Sequence, residues 1–518
     1  MELEMLQHLG AGFEAAFTLT NMLFICAGVT LGIIFGVTPG MGSVTALAIL
    51  VPITFYMSPL AALAFLVGIN KGGTSGGAIP AILINTPGTP EAAATALDGY
   101  PMTQQGKPLK AMKTALYSSV CGDTFSDCML ILLAAPFAAI ALTFGPPEFT
   151  SIIIFSFTLI AALAGKSLTK GIIAAVIGVF LSSWGLDPVD GSARLTFDMV
   201  ELFDGIPLTP MAIGTLALSS VIAQIFGLKK FGDGEKVDTS LDKSDSFRED
   251  NKLPAREFWG NWKTLLRSAC IGTGVGMLPG LGVSLAAFLG YGAAKRGSKT
   301  PELFGKGTIE GIQATEASNS AVVGSNLIPT IALGIPGNVA AALLIGAFMI
   351  HGVVPGPLMM IEHGALVYSI FASMLMANVA HLIIGRIGIT IWVKFVQIPK
   401  KIILPVVTVF CFLGVYIPSN SMFDVALLLF FGGFGYVMRK SGFSIVCLVI
   451  GFLLGPMLEM ALRQTMLMHK TDLTILLTRP ISAVFLALTV FFIWHFGFRP
   501  IFQKKKNEKI SETQEGNT

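Results

Sequence analysis

Long apolar runs recur along this chain at nearly regular intervals: Phe17–Phe35, Met129–Phe144, Phe149–Leu163, Ile172–Trp184, Met211–Phe226, Leu366–Ile389, Ile402–Ile417, Phe423–Val437 and Ile481–Trp494 are the clearest. None alternates with the period of a strand, and a bilayer-spanning helix needs ~20 apolar residues, so the pattern predicts roughly ten to thirteen spans. The fold class expected is an all-α polytopic membrane protein. Polar positions break this pattern most sharply between Asn70 and Pro101, NKGGTSGGAIPAILINTPGTPEAAATALDGYP. Non-helical backbone at membrane depth survives only when it is buried in protein or lines a watery cavity, so the stretch reads as a site.

Its centre predicts two half-helices around a break. Ile79–Ile84 is apolar, and Asn85, Thr86, Pro87 and Gly88 interrupt it. Thr89 then suits an N-cap and Pro90 the first helical position, ahead of an alanine-rich run from Glu91 to Leu97. A helix N-terminus opening inside the membrane offers N–H donors and a positive dipole end to an anion. A lone break of this kind is usually a kink, but the chain writes the break twice.

IPAILINTPG (Ile79–Gly88) is echoed by IPTIALGIPG (Ile328–Gly337). In that register Asn70 falls on Asn319 and Thr89 on Asn338. Upstream of each copy lies G-x-x-P-G-x-G, first as Gly36, Pro39, Gly40 and Gly42, then as Gly276, Pro279, Gly280 and Gly282. Two matched motifs in one order imply internal duplication with broken or re-entrant helices, and the glycine-proline motifs are expected to be hinges. The candidate substrate site is Asn85, Thr86, Pro87, Gly88 and Thr89 with Gly334, Pro336, Gly337 and Asn338. The candidate coupling-ion ligands are Asn70, Ser75, Glu316, Asn319 and Ser320, whose neutral oxygens suit a hard cation. Glu316 is included because a charge in apolar surroundings is expensive and functional by default. Asp123 and Asp127 share a helix face and read equally as a coupling-ion or proton site or as an interfacial helix end after Lys113. Lys71 is matched with substrate, with Glu316, or with snorkelling to the interface, and Asp98 with a surface helix end.

Of the 518 residues 53% are hydrophobic and 13% charged, which excludes a soluble domain of this length, and the net charge of +3 gives no reason to expect nucleic acid. Six scattered cysteines without CxxC pairs read as small hydrophobes. Residues Met1–Phe17 carry no Lys or Arg, so the first span is expected to remain in the protein. Lysine and arginine gather after residue 228 and after Arg499, which places the N-terminus outside and both those segments inside, and so predicts inverted-topology repeats. The predicted organisation is a first membrane half over 1–227, a flexible inter-half loop over 228–263, a second half over 264–498 and a tail over 499–518. No HExxH, GxSxG or complete Walker A is present, so no enzyme or nucleotide hydrolysis is expected and no cofactor beyond Na⁺ or H⁺ as coupling ion.

The runs GGAIPAILINTPGTPEAAATALDGYPMTQQGKP and GKGTIEGIQATEASNSAVVGSNLIPTIALGIPG, with the paired G-x-x-P-G-x-G motifs, resemble the large membrane subunit of tripartite tricarboxylate transporters, the TctA family, from about Phe17 to Arg499. The resemblance implies a bacterial inner-membrane importer of citrate or a related carboxylate, driven by an ion gradient. Its implied partners are a small membrane subunit and a periplasmic solute-binding protein. The chain departs from the family's usual turn at Ser75-Gly76-Gly77-Ala78 and in carrying Lys71. An anion-selective channel and a non-transporting scaffold are the alternative readings of the same residues.

Overall fold

The structure, a computed structural model, describes residues 10–164, 167–187, 190–228, 250–279, 282–396, 398, 400–469 and 472–498. The predicted tail over 499–518, most of the inter-half loop and Gly280 lie outside them. The chain is an all-α polytopic membrane protein: among the described residues seven helices are long and apolar enough to cross a membrane, with shorter apolar helices between them.

In chain order the helices that matter are α1 Leu19–Val37, α2 Gly42–Leu50, α3 Pro59–Gly76, α4 Ala78–Ile84, α5 Ala92–Gln104 and α6 Pro108–Ala141. After them come α7 Pro146–Ala164, α8 Leu168–Ser182 and α9, which runs as Leu208–Ala212, a π-turn Ile213–Leu218 and Ser219–Leu228. The second half supplies α10 Trp262–Gly276, α11 Gly282–Gly297, α12 Ile309–Ser325, α13 Leu327–Leu333, α14 Val339–Ile350 and α15 Gly364–Val396. The last helices are α16 Lys400–Ser419, α17 Met422–Lys440, α18 Ile445–Met468 and α19 Pro480–Phe492.

The chain forms two compact units that cut across the sequence halves. One comprises the described parts of Leu142–Ile206, Pro279–Leu281 and Val437–Thr518. It packs α8 against α18 through Gly178 and Gly451, each of which lies on the opposite helix's backbone where a Cβ would collide. A two-stranded hairpin, β1 Gly185–Leu186 with β2 Ala193–Arg194, is tied to α18 by Arg463 on Asp187 at 2.6 Å and Arg194 on Glu459 at 2.8 Å.

The other unit, Met1–Ala141, Pro207–Leu278 and Gly282–Tyr436 in its described parts, holds both breaks. In it α1 and α3 pack in parallel through a ladder of glycines on both sides: Gly28, Gly32 and Gly36 meet the α3 backbone, and Gly68, Gly72 and Gly76 meet that of α1. Small residues at every fourth position let helices approach closely where lipid supplies no hydrophobic driving force. Helix α6 is 34 residues long, beginning far upstream of the apolar run that announced it, because Pro108–Cys128 carries small and polar residues that face protein. Asp123 and Asp127 therefore sit mid-helix and buried, which overturns their reading as an interfacial helix end.

Side-chain pairs fix the helix directions. Ser119 meets Glu316 and Asp127 packs on Gly324, so α6 and α12 run together. Lys71 meets Asn378 and Ser75 meets His381, so α3 and α15 run together. Tyr117 meets Arg386 while Asp127 meets Asn378, so α6 and α15 run oppositely. It follows that α3 and α12, the corresponding helices of the two copies, are antiparallel.

The inter-half segment is not loop throughout its predicted range. Asn251 accepts from the N–H groups of Leu109 and Lys110 at 2.8 and 3.1 Å and so caps α6, Ala255–Trp259 is helical, and Phe258 is buried. Cys26, Cys128 and Cys270 are exposed, whereas Cys411 and Cys447 are the buried ones.

Candidate functional site

Both copies of the break adopt the same backbone. Helix α3 ends at Gly76 and α12 at Ser325; α4 and α13 follow as seven-residue helices; each is closed by a left-handed residue, Asn85 at φ 50° and Gly334 at φ 72°. In each copy the break glycine packs on the glycine-proline motif. A Cβ on Gly88 would collide with the Gly36 carbonyl, and one on Gly337 would lie 3.1 Å from that of Gly276. Positive φ at Gly42 (58°) and Gly282 (73°) starts α2 and α11 at matching places, a conformation that glycine adopts without the Cβ clash. Gly40 also has positive φ, Pro39 and Pro279 lie in the turns, and Gly36 and Gly276 belong to the last turns of α1 and α10.

The helices that leave the breaks differ. At the second break Asn338 is the N-cap of α14, its Oδ1 accepting from Ala341 N–H at 2.9 Å, and the N–H groups of Val339 and Ala340 have no partner among the described residues. At the first, α5 begins at Ala92, not after Thr89, and the Thr89 hydroxyl caps nothing: it is buried against Gly77 and Gly42 without a hydrogen-bond partner. The N–H groups of Ala92, Ala93 and Ala94 turn back onto the carbonyls of Thr89, Pro90 and Glu91, a tight first turn forced by Pro90. The cap expected of Thr89 is thus not formed, and the two openings are unequal. They are also unequally covered: Asn85 and Thr86 are exposed and Pro87 half-buried, whereas Gly334, Pro336 and Gly337 are buried and Asn338 half-buried.

Of the expected ion ligands, Asn70 and Ser75 lie on α3 and Glu316, Asn319 and Ser320 on α12, two helices in contact, and all five are buried. Glu316 is not beside Lys71. Its Oε2 accepts from Ser119 of α6 at 2.8 Å and its Oε1 from Thr95 of α5. The side chains of Asn319, Ser320 and Asn326 have no hydrogen-bond partner among the described residues, an unusual state for buried amides and hydroxyls and one that fits groups awaiting a ligand.

The charged centre of this unit is one the spacing did not assemble. Lys71, fully buried on α3, places its Nζ 2.7 Å from Asp127 Oδ2, 2.7 Å from Asn378 Oδ1 and 3.7 Å from Asp123 Oδ1. Asn378 donates in turn to Asp127 at 2.8 Å, and His381, one turn along α15, bonds Ser75 at 2.9 Å and faces Asp123 at 3.8 Å. Lys71 therefore pairs with α6 carboxylates, against its matching to substrate, to Glu316 or to the interface. Asn378 and His381 were passed over because they sit inside the apolar run Leu366–Ile389. Their own polarity at membrane depth was the signal. Asp98 likewise is no surface cap: it is buried mid-helix, and its Oδ1 accepts from the N–H groups of Gly305, Gly307 and Thr308 at 2.8–3.0 Å, holding the start of α12.

Comparison with known proteins sets this geometry in a family. Residues 22–450 match the tripartite tricarboxylate transporter TctA family. An uncharacterized 52.8 kDa protein in the TAR-I ttuC' 3'region of Agrobacterium vitis is 35% identical over 486 residues, 94% of this chain and 95% of its own. An uncharacterized protein in the TAR-II ttuC' 3'region of the same organism is 39% identical over 217 residues, 42% of this chain and 90% of its own. No solved structure matches. With the family match spanning most of its length, the chain belongs to the tripartite tricarboxylate transporter TctA family.

Proposed function

We propose that this chain is the large permease subunit of a tripartite carboxylate importer of the bacterial inner membrane, a secondary transporter coupled to the inward flow of Na⁺ or H⁺. It works with a small membrane subunit and a periplasmic binding protein. The observation that carries the reading is the pair of equivalent breaks on antiparallel helices, each opening a half-helix within the membrane-spanning unit. Carboxylate is received chiefly at the second opening, where Val339 and Ala340 present N–H donors under a positive dipole end. Gly334, Pro336, Gly337 and Asn338 line that side, and Asn85, Thr86, Pro87, Gly88 and Thr89 the other. Asn70, Ser75, Glu316, Asn319 and Ser320 supply oxygens toward the coupling ion, and the antiparallel course of α3 and α12 supports an inverted repeat with the glycine-proline turns as hinges.

The test is uptake of radiolabelled citrate, with malate and succinate as competitors, in proteoliposomes holding this chain with its membrane partner and binding protein. Accumulation that collapses with the Na⁺ or H⁺ gradient supports the reading. Downhill flux alone, indifferent to both gradients, overturns it in favour of a channel.

A further inference from the structure

We propose that Asp123 is a reversible proton-binding site, the group through which this chain takes up and releases its coupling proton. The inference deepens the transport reading and rests on it for its role in coupling, though not for the site itself. Three observations carry it. The cluster holds two carboxylates, Asp123 and Asp127, against one ammonium, Lys71, all three at most 1% exposed, so among these three side chains one negative charge is uncompensated. The ammonium is committed to Asp127, which also accepts from Asn378, while Lys71 stands a full ångström farther from Asp123. Among the described residues neither oxygen of Asp123 has a hydrogen-bond partner, and the nitrogen of His381 that faces it is also unpartnered. A buried carboxylate without hydrogen bonds is the group that binds a proton.

The surroundings of Asp123 favour a proton over a metal cation. From α3 it faces Lys71, from α15 His381, from its own helix Asp127, and from α12 Glu316, one turn away through Ser119. Helices α4 and α13 carry no titratable residue, Asp98 of α5 is engaged at the start of α12, and α10 turns Lys263 and Cys270 outward and Arg267 toward Gly297. The ammonium already fills the space between the carboxylates. A sodium ion there would sit against a fixed positive charge, whereas a proton needs no cavity. Loading adds one proton to an Asp123 oxygen and leaves the cluster neutral. Release returns that proton to solvent and restores one negative charge. Ser119, one turn from Asp123 on α6, bonds Glu316, and Glu316 bonds Thr95 of α5, so the charge state of Asp123 is linked to α12 and α5, and neutralising it lowers the repulsion that an anionic substrate meets in this unit.

Infrared difference spectroscopy between high and low pH, on the full chain in lipid, needs neither substrate nor partner. The expected result is a protonated-carboxyl band that Asp123→Asn abolishes and Asp123→Glu displaces. A band unchanged in Asp123→Asn overturns the proposal. For coupling, the three-component system is assayed with radiolabelled citrate. Asp123→Asn is expected to keep citrate counterflow and lose accumulation driven by a pH gradient at least tenfold. Accumulation that survives, or counterflow lost from a folded variant, overturns the coupling role. A wild-type complex without citrate counterflow strikes the transport reading for citrate, while the infrared band still decides the site.

Discussion

The N–H of Gly40 donates to the carbonyl oxygen of Gly88 across 3.2 Å, so the first glycine-proline turn and the first break are one folded unit. Gly88 N–H in turn donates to Gly77 at 3.1 Å. The glycine-proline turn and the break are therefore backbone neighbours, and bulk at either is felt by both.

Replacing Gly88 with alanine drives a methyl group into the Gly36 carbonyl. We expect a loss of about 1–3 kcal/mol, the usual penalty for overpacking, read as a lowered Tm in detergent. Gly337→Ala, with more room at Gly276, is expected to lose less. Equal shifts at the two glycines would show that the close approach at Gly88 is not maintained.

Lys71→Met leaves two buried carboxylates unpaired and is expected to destabilise the protein by about 3–5 kcal/mol, since removing one partner strands a charge. The double variant Lys71→Met/Asp127→Asn removes one of the two stranded charges, returns the cluster to a single negative charge and should recover part of the lost thermal stability. A double variant less stable than the single one would mean that the pair is not the cluster's organising interaction.

Asn319 has no hydrogen-bond partner for either end of its amide. Asn319→Ala is therefore expected to keep Tm within a few degrees while reducing citrate uptake at least tenfold, and Glu316→Gln to behave similarly because an amide can still meet Thr95 and Ser119. Wild-type uptake by a well-expressed Asn319→Ala protein would remove that residue from the site.

At the second opening, Asn338→Ser and Asn338→Asp are both good caps and should hold the fold within about 1 kcal/mol. The aspartate places a negative charge beside the N–H groups of Val339 and Ala340, the proposed receivers of carboxylate, so its uptake should fall well below that of the serine variant. At Thr89, which caps nothing, Thr89→Ser is expected to leave α5 unchanged and Thr89→Asp to be destabilising, because the side chain is buried against Gly77. Equal uptake by Asn338→Asp and Asn338→Ser would place the carboxylate elsewhere.

The absence of Lys and Arg before Phe17 and their gathering after residue 228 predict sidedness for two positions outside the described residues. Glu4→Cys should label from outside and Asp245→Cys from inside, with a membrane-impermeant maleimide on oriented cells. Labelling of both from one side would break the inverted arrangement.

The sequence by itself determined what is local or repeated: the apolar runs, the two breaks, the cap at Asn338 and the family motifs. Each of these follows from residue type within a few positions, where propensity and pattern decide. Tertiary structure alone decided what spans the chain: that Lys71 pairs with Asp127 and Asn378, that Glu316 meets Ser119 and Thr95, that Asp98 holds the start of α12, and that Thr89 is packed instead of capping. These pairings join residues roughly 55 to 310 positions apart, and in a low-dielectric interior a buried charge takes whichever partner the helix packing brings within reach. The length of α6 was hidden for the same reason. Its polar half is stable in the membrane because α3, α12 and α15 cover it, and no pattern along the helix itself records that cover.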